Sequence, residues 1–436
     1  MKIKVPEELI KLAVLLKEYG SLYIVGGYVR NAILGFADTD IDLAAGIAPE
    51  RMVELLDNTK FEVIDKSYKL GSVTIKYKNQ IWQYTTFRKD NYGYGGYHRP
   101  QTVDFINDLR QDAQRRDFTM NALYYDILKQ EIIDIYSGVL DIRNKIVRCV
   151  EMPAFVFSHD GLRILRMIRF ACELNFRIDH ATLITAKKMS HQINYISGKR
   201  KFQELTAVLN SPKRYEISNP DAHIKGLNYY NELRIWNSHF IPTSKVRLRT
   251  VKKVNADNAF IGLLIDIIDT VIPPCIEYFI NDLLGEKGFA LKASEVKFYN
   301  IIVCGYYDAL NRMNNKRYFF KYFEHFEKIA EILAPTKKFL YAKYKFFYDY
   351  IIKHKLPISL KELNLTKGDL RKHFPKLSSK KYETILYNAL IKVFDGFVKN
   401  EKLALIDEIK KDLQEETEKE KMTKDENAKL LKNKKI

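Results

Sequence analysis

Tyr23–Ala45, YIVGGYVRNAILGFADTDIDLAA, decides how this chain is read. An apolar run, Tyr23-Ile24-Val25, enters Gly26-Gly27, a helical pattern carrying Arg30 follows, and a second strand then presents Asp40 and Asp42. Successive strand side chains face opposite ways, so carboxylates two residues apart share a face. Two carboxylates on one short face repel and raise each other's pKa, and a divalent cation between them removes that cost. Hard oxygen ligands with open positions suit Mg²⁺, which takes one or two carboxylates plus substrate phosphates. The Gly-Gly turn supplies the other half of such a site. Without Cβ atoms, the backbone N–H groups of Gly26 and Gly27 can approach a triphosphate closely. Arg30 falls in the first turn of the next helix, where an anion is already favoured.

A lone Gly-Gly is usually a turn, and a lone Asp-x-Asp is usually a solvated loop. Their order and spacing together are far more specific. The run GGYVRNAILGFADTDID resembles motif A of the polymerase-beta-type nucleotidyltransferases, GGxVRDxLLGxxxxDxD, in the branch of class II CCA-adding enzymes and bacterial poly(A) polymerases. Arg30, Gly35, Asp40 and Asp42 fall on that pattern, and Asn31 stands where the family usually has Asp. The resemblance implies an α+β fold: a nucleotidyltransferase head with a small mixed sheet, then an all-helical neck, body and tail.

The totals agree with this. A chain of 436 residues suggests two to four domains. Its 72 Lys+Arg against 54 Asp+Glu leave a net charge of +18, which suits a polyanion such as RNA or an anionic membrane surface. Four scattered cysteines with no CxxC pair indicate neither a zinc site nor a disulfide framework, and fit a reducing cytoplasm. The first twenty residues read as an amphipathic helix rather than a signal peptide. The apolar run Phe260–Ile272 is too short and, with Asp266 and Asp269, too charged to span a bilayer.

After Asp42, APERMVELL reads as a helix with Pro49 near its start. Two strands follow, from Gly71 and from Ile81, turning at Lys78-Asn79. The family places a third metal-site acid in the second of them; here that position is Gln83, a neutral and poorer Mg²⁺ ligand, so either Asp40 and Asp42 suffice or another acid such as Asp104 helps. Arg88–Pro100, RKDNYGYGGYHRP, reads as a mobile loop, and the resemblance makes it the loop that CCA enzymes need to switch from C to A. Arg115–Leu123, RRDFTMNAL, matches the family's RRDFTxNAL. Asp117 is expected to cap a helix starting here, Arg116 to meet the triphosphate with its fixed fork, and Asn121 to bind the ribose or hold the loop. The run up to Arg148 reads as a strand, a turn at Gly138 and a basic strand.

Ser158–Ala171, SHDGLRILRMIRFA, sets Asp160, Arg163, Arg166 and Arg169 three residues apart, one slowly rotating face if the whole run is helical. The plain reading is a basic face on RNA phosphates. A sharper one uses base edges. Cytosine and adenine each show an exocyclic amine beside an unprotonated ring nitrogen, so a carboxylate and an arginine together would accept C or A and reject U and G. Such bidentate reading is worth about 1–3 kcal/mol per pair. The run resembles family motif D, EDxxRxLRxxRF, which assigns base reading to Asp160 and Arg163 with Arg166 and Arg169 supporting; His159 replaces the usual Glu and Gly161 the usual Pro. Arg200 and Glu204, in a further family-like stretch with Lys199 where Glu is common, read as an i,i+4 brace.

Residues 216–335 read as helical, and Leu356–Leu405 resembles the tRNA-binding tail of bacterial CCA enzymes. The expected division is a head over 1–150, a neck over 151–215, a body over 216–335, a tail over 336–406 and a charged extension over 407–436. The resemblance implies Mg²⁺-assisted addition of C, C and A to tRNA from CTP and ATP, with no membrane and no stable protein partner. Addition of only A or only CC, poly(A) synthesis, and an RNA-binding protein with an impaired head are the alternatives.

Overall fold

The computed structural model describes residues 2–36, 40–91, 102–215, 219–312 and 318–433. They form two compact units, residues 1–300 and 301–436. The first is built on a seven-stranded mixed sheet. Helix α1 (Glu7–Leu16) buries Leu9, Leu12 and Leu16, an i, i+3, i+7 stripe. Strand β1 (Tyr23–Val25) runs into α2 (Gly27–Leu34), and β2 (Asp42–Ala45) into α3 (Pro49–Leu56), with proline in the first turn as expected. Strands β3 (Glu62–Ser67), β4 (Ser72–Tyr77) and β5 (Gln80–Thr86) form a meander. The β4–β5 turn carries Lys78 at positive φ.

A separate hairpin, β6 (Arg88–Asn91) and β7 (Thr102–Phe105), leads to α4 (Leu109–Gln114), and β8 (Leu123–Asp126) and β9 (Glu131–Asp134) complete the sheet, ordered β3-β4-β5-β2-β1-β8-β9. Within this sheet only β2 and β5 pair in parallel, and their register sets Asp42 beside Gln83. Below the sheet, Val25, Ala44, Phe87, Ala122 and Tyr124 share one core. Most of the expected loop, residues 92–100, lies outside the described residues; the hairpin flanking it is described.

The structure corrects three local expectations. No α-helix starts at Asp117. Thr119–Asn121 is a single 3₁₀ turn, because the Asp117 carboxylate accepts from Phe118 N–H and the Asn121 amide and closes the chain locally, before the fully buried β8 resumes the sheet. Gly138 is not a turn between strands but opens α5 (Gly138–Arg143). The Asp134 carboxylate takes the free N–H groups of Gly138 and Val139. After β10 (Ile146–Val147), the run around Asp160 is not one helix. It is α6 (Pro153–His159) and α7 (Leu162–Glu173), split by Asp160 in extended conformation. A Cβ on Gly161 would lie 2.4 Å from the Gln192 carbonyl oxygen, so the break is packed too tightly for the family's proline.

Strand β11 (Arg177–Ile178) pairs in parallel with β10, and α8 (His180–Lys188), α9 (Gly198–Leu209) and the short α10 (Ser211–Arg214) follow. Further helices occupy the rest of this unit. The second unit is helical. Thr366 and Asp369 make a reciprocal capping box at the start of Lys367–His373, and Asn400 bridges back to Asn364 and Glu362. The last helix, Lys402–Asn433, crosses residue 407 without a break, because Leu405, Ile406, Ile409 and Leu413 keep an apolar stripe on the Ser379–Phe394 side. Among the described residues no helix is long and apolar enough to cross a membrane.

Candidate active site

One cleft of about 880 Å³ in the first unit gathers most of the residues singled out above: Gly26, Gly27, Arg30, Asp42, Arg116, Asp117, Asn121, Asp160, Arg163 and Arg166. Eight basic side chains and four carboxylates line it, so the cleft favours an anion.

Its floor is the β1–α2 turn. Gly26 has φ +69°, a conformation that side chains rarely adopt, and its N–H is tied to the Leu123 carbonyl at 3.1 Å. A Cβ there would lie 3.5 Å from Arg116 Nη1, so the guanidinium comes close to the turn. Arg116 is held from behind: Nε donates to the Tyr124 hydroxyl at 2.9 Å and Nη2 to Asp112 at 3.1 Å. Burial works against its charge, but Tyr124 and Asp112 outweigh burial and raise its pKa.

Asp42 opens β2 at the mouth of the cleft. Its carboxyl pKa is raised, first by desolvation, against the opposing pull of Arg116, and further by Asp40. Repulsion between the two carboxylates is therefore present but secondary to the desolvation of Asp42 by the cleft around it. No basic side chain is salt-bridged to either of them among the described residues, and both are exposed. Asp42 lines the cleft, whereas Asp40 precedes β2 and is not in the lining; the two carboxylates, both open to solvent, fit a hard divalent cation that draws its remaining ligands from water and phosphate. Gln83 is Asp42's lateral neighbour, as the register requires. Asp104 does not replace the missing acid. It sits on the β6–β7 hairpin facing Lys89, accepts from the Asn91 amide at 2.8 Å, and belongs to no group of three His, Cys, Asp or Glu able to hold a metal among the described residues.

The opposite wall is locked by ion pairs. Arg166 Nη2 lies 2.7 Å from Asp117 Oδ2, and the Asn121 amide donates to Asp117 Oδ1 at 3.0 Å. Burial would push the Asp117 carboxyl up, but Arg166 and these hydrogen bonds bring it down to about 2. Arg30 is buried and donates to Asn121 at 2.7 Å and to Asn31 at 2.9 and 3.0 Å. It braces the turn more than it reaches into the cleft. Asn31, the departure from the family's Asp, uses its amide to donate to the Tyr215 hydroxyl at 3.3 Å, and the Tyr215 ring stacks on Phe36 at 4.4 Å. This contact ties Phe36, just past α2, to Tyr215 at the end of α10.

Asp160 and Arg163 both face the cleft and are buried. Leu162 N–H fixes one Asp160 oxygen at 2.9 Å, and Arg163 donates to the carbonyls of Arg115 at 2.6 Å and Val156 at 3.4 Å. Both groups are thus preset in direction. Arg169 lies outside the cleft lining. It pairs with Glu204 at 2.7 Å and Glu173 at 3.1 Å and braces α7 against α9. Glu204 therefore serves Arg169 and not Arg200, contrary to the i,i+4 expectation. Sequence reasoning passed over Lys69 and Arg115 in the lining and Asp112 behind it, placed Arg88 and Asp90 in the loop, and read Arg200 as a structural brace. Asp112, three and four residues before Arg115 and Arg116, had a legible signal. Lys69 had none.

Residues 22–148 match the family model described as the poly A polymerase head domain. The chain is 35% identical over 210 residues to a CCA-adding enzyme of Staphylococcus epidermidis, covering 48% of this chain and 50% of that one. It is 36% identical over 213 residues to one of Lactococcus lactis, covering 47% and 52%. The chain thus spans about half the length of the curated relatives it matches. Among solved structures it is similar to the Bacillus stearothermophilus CCA-adding enzyme in complex with CTP, with TM-score 0.68, 21% identity and coverage of 95% and 98%. It is also similar to a Thermotoga maritima CCA-adding enzyme complexed with tRNA_CCA, with TM-score 0.56, 18% identity and coverage of 94% and 96%. The architecture is accordingly the expected one, an α+β head on a mixed sheet followed by helices.

Proposed function

We propose that this chain adds C, C and A to the 3′ end of tRNA, using CTP and ATP and releasing pyrophosphate. One observation carries the reading: a single cationic cleft is lined both by Asp42 and the Gly26–Arg116 phosphate side and by Asp160 and Arg163, a carboxylate at the break between α6 and α7 and a guanidinium in the first turn of α7. The CCA-adding enzymes solved with CTP and with tRNA_CCA support the same substrates.

The roles follow from the geometry. The Gly26 turn and Arg116 receive the triphosphate, and the Tyr124–Asp112 support keeps the Arg116 fork aimed without reorganisation. Asp160 accepts from the exocyclic amine of C or A. Arg163 uses two of its five N–H donors on backbone carbonyls and offers others to the unprotonated ring nitrogen. Asn121 accepts from Arg30 and donates to Asp117, which supports its holding the loop over binding the ribose. Asp40 and Asp42 would hold a divalent cation, Mg²⁺ by the hardness of the donors, which lowers the pKa of the attacking 3′-hydroxyl and neutralises charge on the triphosphate. The excess of lysine and arginine serves the tRNA backbone, with salt-dependent affinity. The division into neck, body, tail and extension, and a cytoplasmic location, belong to the same proposal.

The test is incorporation of labelled CTP and ATP into tRNA transcripts ending before CCA, after the first C, and after CC. Ordered addition of C, C and A followed by termination is expected. Unlimited A addition would make the chain a poly(A) polymerase, and addition to one transcript alone a split-activity enzyme. Tight tRNA binding with no addition would favour the impaired head, which Gln83 beside Asp42 is the one feature to suggest.

A further inference from the structure

Six of the eight basic side chains that line the cleft are already engaged with carboxylates, amides or carbonyls: Arg30, Arg116, Arg163 and Arg166 as described above, Arg88 with Asp90 and the Leu70 carbonyl, and Arg115 with Asp112. Lys69 and Arg200 are not. Both are exposed, and neither makes a hydrogen bond or ion pair among the described residues. Lys69 stands on the 3₁₀ turn Tyr68–Leu70 between β3 and β4, and Arg200 in the first turn of α9. They therefore reach the cleft from the sheet and from the helices.

The freedom of Arg200 is built in. Helical spacing offers it Glu204, but Arg169 holds that carboxylate at 2.7 Å. The architecture spends its carboxylates on the inner arginines and leaves two cations at the mouth. A cation kept unpaired inside an already positive cleft adds repulsion unless an anion arrives. A guanidinium fork matches phosphate oxygens, and an ammonium serves as a point charge beside it.

We infer that Lys69 and Arg200 make a phosphate seat of the mouth of the cleft, each offering its charge to a substrate phosphate that the inner arginines do not reach. The inference rests on the reading of the cleft as a nucleotidyl-transfer site. Two sources supply this chemistry: the triphosphate of the incoming nucleotide and the terminal backbone phosphates of the RNA.

Lys69→Gln, Arg200→Gln, the double variant and Arg200→Lys in the full chain separate them. CTP binding is measured by calorimetry without RNA, and binding of a tRNA transcript by fluorescence anisotropy over a salt series. Each neutral substitution should weaken one of the two ligands about tenfold, the scale of a charge-assisted hydrogen bond. Arg200→Lys should keep most of the affinity. Loss in the CTP arm assigns the seat to the triphosphate. Loss in the RNA arm, with the salt slope reduced by about one per residue removed, assigns it to the RNA. A double variant that binds both ligands within about twofold of wild type, at unchanged thermal midpoint, overturns the inference. Binding is read without turnover, so the seat stands or falls separately from CCA addition.

Discussion

Two pairs of carboxylates flank the same cleft and are treated in opposite ways. Asp112 and Asp117 are buried and saturated: Arg115, Arg116 and Tyr124 surround the first, Arg166 and Asn121 the second. Burial would raise both, yet their cationic partners bring each down to about 2. Asp40 and Asp42 are exposed, have no salt-bridged cation, and Asp42 is raised by desolvation with Asp40 adding to it. The first pair is architecture, since its charge is spent inside the fold. The second is left uncompensated by the fold, which is how a site for a bound cation is distinguished from a structural ion pair.

The sharpest way to break this contrast is Asp42→Ala. It should lower nucleotide incorporation by about 10³-fold, several kcal/mol of transition-state stabilisation, while tRNA affinity and the circular dichroism spectrum stay at wild type. Activity within tenfold of wild type would remove Asp42 from the chemistry. Asp117→Asn should behave differently, destabilising the fold by about 3 kcal/mol because Arg166 loses its partner across the cleft wall. The same pair dictates an acid limb. The folded carboxyls titrate near 2 against the ordinary 3.8, so their stabilisation is complete above about pH 4 and lost as pH falls towards 2. Chemical denaturation of Asp117→Asn between pH 2 and pH 5 should show a shallower loss than wild type.

Smaller effects sharpen the comparison. Asp160→Ala should relax selection against UTP and GTP by about 10–100-fold in competition assays, the discrimination expected of one bidentate pair. Unchanged selectivity would return α7 to plain phosphate binding. Gln83→Glu adds a carboxylate beside Asp42 in register and should lower the Mg²⁺ concentration for half-maximal activity about fivefold, roughly 1 kcal/mol. No change would mean that two carboxylates already satisfy the cation.

What was legible in the sequence was local and covalently spaced. The strand-turn-helix-strand order of residues 23–45 follows from apolar runs and a glycine pair, although β2 begins only at Asp42 and leaves Asp40 ahead of the strand. The break at Asp160 was not legible, because its three-residue spacing to Arg163 continues the helical pattern of α7, while the Asp160 bond to Leu162 N–H and the packing of Gly161 on Gln192 accompany the interruption. Arg200 was misread for a related reason. The i,i+4 rule names a possible partner, while the tertiary contact of Arg169 with Glu204 decides the actual one. The 3₁₀ turn at Thr119 likewise depends on Asp117 bonding to its own neighbours, a choice that helix propensity does not reveal.

The account stands or falls most directly on cation binding by the two uncompensated carboxylates. Mn²⁺ binding, followed by electron paramagnetic resonance in the presence of CTP, should be lost in Asp42→Asn and retained in Asp117→Asn, provided both variants are folded at neutral pH. Equal Mn²⁺ binding by wild type and Asp42→Asn would contradict it.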